Sequence, residues 1–69
     1  MDHATAFRLF TEGQYVSLVI EGRRVDRVLV KGLHAASPGP SHLDLLLPTP
    51  VDEPDRHLRV RMDKVELAP

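Results

Sequence analysis

Five arginines are the residues of this chain best suited to chemistry at a surface: Arg23, Arg24, Arg27, Arg59 and Arg61. Each guanidinium presents a planar fork of donors that grips a carboxylate or phosphate through two hydrogen bonds. Arg23, Arg24 and Arg27 gather around a glycine turn, and Arg59 and Arg61 alternate along one face of an extended segment. Either stripe can dock a protein or an RNA backbone. The plainer role is pairing with Glu21, Asp26, Asp44 and Glu66 across neighbouring strands. Asp52, Glu53 and Asp55 form a run of opposite charge between prolines, suited to a basic partner or simply to a solvated loop. Tyr15 completes the candidate partner-binding set as an aromatic platform on which a base can stack.

Other constellations that carry chemistry are weak here. His3, His34, His42 and His57 lack the i, i+3 or i+4 spacing that sets two imidazoles on one helical face for a metal. His34 and His42 flank a proline loop and can approach one another, with Asp44 as a third group. Ser17, Ser37 and Ser41 lie near histidines in the chain, but no Gly-x-Ser-x-Gly elbow is present to build a nucleophile site. The expectation is a chain without catalytic residues, cofactor or metal.

Size supports that expectation. Sixty-nine residues make one domain near the lower limit for a self-sufficient core. Most of the large apolar side chains must be buried to hold it, leaving little for a deep cleft. There is no cysteine, which excludes disulfides and thiolate metal sites and fits a reducing compartment. No apolar stretch approaches 18 residues, so a cytoplasmic protein without a membrane segment is expected. The net charge of −1 lacks the basic footprint of a non-specific duplex binder.

The elements that must position these groups follow from pattern. Asp2 can cap a short helix over residues 1–12 that Gly13 ends, with Ala6, Phe7 and Phe10 on one face. A strand competes, because Phe7 and Leu9 also alternate with their neighbours, but the following glycine and the lack of β-branched residues apart from Thr5 and Thr11 favour helix. Both phenylalanines are expected in the core. Val16, Leu18 and Ile20 share one side of a period-2 strand over 14–21, turned at Glu21-Gly22-Arg23 into a second strand over 24–31. That second strand is apolar on both faces, with Val28 and Val30 on one and Val25 and Leu29 on the other, so it is central or strongly bent. Gly32 offers a bulge or exit, and residues 34–42 read as a Pro/Gly loop. Leu43, Leu45 and Leu47 mark a third strand, and Pro48 to Asp55 an exposed connection. Leu58, Val60 and Met62 mark a fourth. The alternation then slips at Asp63-Lys64, a one-turn break before a fifth strand at Val65 and Leu67.

Five short strands with one bent pair and a late break describe an all-β, strongly bent antiparallel barrel with an N-terminal helical cap. Residues 1–69 form one domain, the cap over 1–12 and the barrel over 14–67. The runs Val16 to Val25 and Leu58 to Val65 resemble the Sm-like and SH3-like small barrels. More narrowly, the chain is similar to the small bacterial Rho-inhibitor (Rof-like) proteins, which carry an N-terminal helix, a glycine hairpin and a closing Leu-Asp-Lys-Ile. The matching residues are Met62-Asp63-Lys64-Val65. Proline-rich loops at 37–40 and 48–54 depart from that pattern, and the signature loops of Sm-like RNA chaperones are absent. The resemblance implies a regulatory adaptor that binds a protein of the transcription-termination or RNA machinery. Two alternatives remain: a single-stranded RNA- or DNA-binding barrel, and a homo-oligomerisation module pairing through an edge strand. Val19 and Leu46, with Val28 or Val30, are the expected apolar strip for such pairing.

Overall fold

The computed structural model describes every residue except Ser37, and the serine reading at that position lies outside the described residues. The N-terminal segment is helical. In α1 (His3–Glu12) the Asp2 carboxylate accepts from the Thr5 backbone N–H at 2.8 Å, and Gly13, at φ +64°, closes the last turn by donating to the Leu9 carbonyl. The Thr5 hydrogen bonds hold the Asp2 carboxyl below its usual range. The helix buries Ala6 and Leu9 instead of its phenylalanines. A methyl group at position 6 lets the helix backbone approach the sheet closely, and that contact turns Phe7 and Phe10 outward, 58% and 41% exposed. The expectation of two core rings is therefore corrected.

The five strands are β1 (Val16–Ile20), β2 (Arg23–His34), β3 (His42–Leu47), β4 (Arg56–Arg61) and β5 (Val65–Leu67), and the turn Met62–Lys64 separates the last two. They form one antiparallel sheet in the order β4-β3-β2-β1-β5. The sheet is bent and not closed: among the described residues no ladder joins β4 to β5. Glu21 and Gly22, both at positive φ, make the two-residue turn that pairs Ile20 with Arg23.

The bend is carried by β2. Its first half pairs with β1 and its second with β3, and each ladder shifts register once. Opposite Ser17, β2 places both Asp26 and Arg27, and Arg27 takes φ +59°. Opposite the step from Leu45 to Asp44, it places the extra residue Lys31. An extra residue raises local twist and lets one strand serve two walls. Gly32 lies beside the second bulge, where a Cβ would stand 3.2 Å from Asp44 Oδ2 and displace that carboxylate by a few tenths of an ångström.

One apolar cluster fills the bent sheet: Leu18, Ile20, Val28, Val30, Leu43, Leu45, Val60, Met62 and Val65, lidded by Ala6 and Leu9. The alternating residues read from sequence supply it. Val28 and Val30 are sealed inside, so they belong to no exposed strip, and that expectation is corrected. Leu58 departs in the other direction, remaining partly exposed where β4 lacks a neighbour.

Candidate partner-binding surface

The arginines divide into clamped and unclamped sets. Arg24 Nε donates to Asp26 Oδ1 at 3.1 Å, Arg59 Nε to Asp44 Oδ1 at 2.9 Å, and Arg61 Nη2 to Asp63 Oδ2 at 2.7 Å. Strand geometry explains these choices. Asp44 lies directly across from Arg59 in the β3–β4 ladder, whereas Asp26 and Asp63 lie two residues along the chain from their arginines. Asp26 and Asp44 are partners read from the sequence. Asp63 is not, and the proximity of Asp63 to Arg61 through the turn was the missed signal. Among the described residues, neither Glu21 nor Glu66 pairs with an arginine.

Around Asp44 a small network forms. His34 Nε2 donates to Asp44 Oδ2, and the Arg59 Nη2 group lies 3.4 Å from the same oxygen. The Arg59 hydrogen bonds first, and that of His34 second, hold the Asp44 carboxyl at about 2. Asp44 in turn raises the Arg59 guanidinium further, as Asp63 does for Arg61. The Arg61 hydrogen bond lowers Asp63; at Asp26 the Ser17 hydroxyl lowers the carboxyl most and Arg24 next. His34 and His42 are register partners, so the sequence reading that they approach one another holds. Yet a guanidinium nitrogen sits 3.3 Å from His34 Nε2, where its charge opposes a metal cation. Among the described residues no group of three potential metal ligands is assembled.

His3 and Ser41 also meet, Ser41 Oγ lying 3.3 Å from His3 Nε2. Among the described residues no acid holds the other nitrogen of that imidazole, so the contact lacks the orienting group a nucleophile–base pair requires.

Arg27 is different in kind. Its guanidinium carbon stands 5.7 Å from the centre of the Tyr15 ring, which is 59% exposed. The bulge that bends β2 is what aims Arg27 at this ring, at the expense of a left-handed backbone. Both side chains line an open depression of about 320 Å³ with Leu46, Pro48, Val51 and Asp55. Val51 is fully exposed. Three of the sequence candidates, Tyr15, Arg27 and Asp55, are thus brought to one surface from three separate parts of the chain. Asp52 and Glu53 flank it on the same exposed loop, while Arg23 lines a separate hollow with Val25, Leu47 and Leu58. Val51 and Pro48 were missed because a lone valine in a polar loop gives no periodic signal.

Comparison of the chain with protein-family models, curated proteins and solved structures returns no match. The five-stranded antiparallel sheet with its single helix is compatible with a small-barrel-like fold. Among the described residues no helix is long and apolar enough to cross a membrane.

Proposed function

We propose that this chain is a non-enzymatic adaptor that docks a protein partner on the Tyr15–Arg27 surface. The observation that carries the reading is Arg27 itself. A non-glycine residue in the left-handed region at a strand bulge is disfavoured by about 1–3 kcal/mol, a conformation that clusters where a side chain must be presented. Tyrosine and arginine are also the side chains most enriched among interface anchors. Beside them, Val51, Leu46 and Pro48 supply apolar contact, and Asp55 with Asp52 and Glu53 supplies a charged rim. A partner from the transcription-termination machinery is the first candidate, on the resemblance of the helix, the glycine hairpin and Met62-Asp63-Lys64-Val65 to the Rho-inhibitor proteins.

The test is a photo-crosslinking amino acid in place of Tyr15, expressed in the native cell with and without RNase treatment. A protein adduct that survives RNase and disappears in Arg27→Ala supports the reading. Adducts to RNA alone, or none, sink it.

A second reading gains from the outward turn of Phe7 and Phe10. With Tyr15 they give three exposed rings, and exposed rings are what a single-strand-binding barrel stacks bases on. Its mark is oligonucleotide binding at low salt that Arg59→Ala/Arg61→Ala abolishes, read by fluorescence anisotropy. Homo-oligomerisation is tested by light scattering across protein concentration.

A further inference from the structure

The open side of the sheet suggests what a second part of a partner looks like. β4 is the outermost strand, six residues long, and among the described residues its only ladder is to β3. Alternate residues of such a strand direct their N–H and C=O groups away from the sheet, ready to pair with another extended chain. A cleft of about 240 Å³ separates β4 from Ile20 and Glu21, and it adjoins a hollow of about 430 Å³ lined by Ile20, Val25, Leu47 and Leu58. A strand therefore finds room along this edge and apolar ground beneath it.

The side chains of β4 choose the occupant. Val60 is buried, so Leu58 shares its inner face, and His57, Arg59 and Arg61 lie on the outer face. The strand Arg56–Arg61 contains no acid. Two copies paired through β4 would set arginine and histidine against arginine and histidine, which like-charge opposition disfavours. The other edge, β5, offers a second copy only three residues. An added strand of opposite charge meets none of these objections. Arg59 and Arg61 are bonded to Asp44 and Asp63 but remain more than half exposed, with donors to spare.

From this we infer that β4 takes up an extended peptide of a protein partner, with apolar side chains beside Leu58 and acidic ones beside His57, Arg59 and Arg61. Main-chain hydrogen bonds hold the strand, and the alternation selects it. The β4 edge shares only Leu47 with the lining of the Tyr15–Arg27 depression, and its test reads β4 amides, so failure of either reading leaves the other standing.

The probe is a capped six-residue peptide alternating valine and glutamate, titrated into the isotopically labelled chain, with a valine–lysine peptide as counterpart. Expected are shifts and slowed amide exchange at alternate β4 residues, weakened by salt, absent with the lysine peptide, and about tenfold weaker binding in His57→Glu. That substitution lies on the exposed face and leaves the core intact. Absence of β4 shifts at millimolar peptide overturns the inference and leaves the β4 charges as guards against edge-to-edge aggregation. Equal binding of the lysine peptide, shifts confined to Tyr15 and Arg27, or a peptide-free dimer through β4 also overturn it.

Discussion

The two bulges of β2 solve the same problem with opposite chemistry. At the second, the extra residue Lys31 points into solvent and the neighbouring Gly32 clears space for Asp44, an arrangement without positive φ. At the first, the left-handed position that a glycine would take without strain is held by Arg27. If bending alone were at stake, the second solution would serve at both places. The difference is that the first bulge brings Arg27 to the Tyr15 ring on a strained backbone, whereas the second turns the strand without strain.

That contrast can be broken in five ways, beginning with the largest effect. Leu45, fully buried and paired with Val30 beside the second bulge, anchors the bend through packing. Leu45→Ala should remove about 2–5 kcal/mol of stability, most of what so small a domain has, and chemical denaturation followed by circular dichroism reads this directly. A loss under 1 kcal/mol would mean that the core is not what holds the second wall.

Arg27→Ala and Tyr15→Ala should each weaken the captured partner by about 2 kcal/mol, near thirtyfold, measured by titration calorimetry once the partner is in hand. Arg27→Gly isolates the strain. Relief of the left-handed backbone favours the variant by about 1–3 kcal/mol, against about 1 kcal/mol for the added freedom of the unfolded chain and a similar amount for the lost contact with Tyr15. The balance is a stability within about 1 kcal/mol of the parent, alongside reduced binding. A strongly destabilised Arg27→Gly would show that the arginine is structural.

The smallest effects concern Gly32 and Asp44. Gly32→Ala crowds Asp44 Oδ2 and should loosen its grip on Arg59, raising the Asp44 carboxyl from about 2 toward its ordinary 3.8 in a carbon-detected NMR titration. In the parent chain the sign follows from that depression. Asp44 is more acidic folded than unfolded, so its stabilisation is fully present above 3.8 and disappears as pH falls through about 2. Replacing it by asparagine should flatten that part of the acid-denaturation curve; an unchanged curve would assign the acid sensitivity to Asp2, Asp26 and Asp63, which are lowered as well.

Much of this architecture is legible in the residues. The alternation of Val16, Leu18 and Ile20, the glycine turn, Leu43 with Leu45, and the slip at Asp63-Lys64 each correspond to an observed strand, turn or break, because period-2 burial is a local property. Asp2 and Gly13 mark the helix for the same reason. The outward Phe7 and Phe10 were hidden, since which stripe of a short helix meets the sheet is decided by how closely the backbones approach. The site was less legible. Tyr15, Arg27 and Asp55 were named from chemistry, but their convergence depends on a bulge, and no residue in Val25-Asp26-Arg27-Val28 announces a left-handed backbone. The clamping of Arg61 by Asp63 likewise arises from a turn whose side-chain directions are set only in three dimensions.

Since β2 runs through both walls and one apolar cluster fills the space between them, loss of either wall uncovers the core that holds the other. The molecule should therefore lose its structure in one sharp step, with amides near Val28 and Val30 the last to trade their protons with deuterated solvent. A ligand gripping either end of that shared beam slows the opening of the whole.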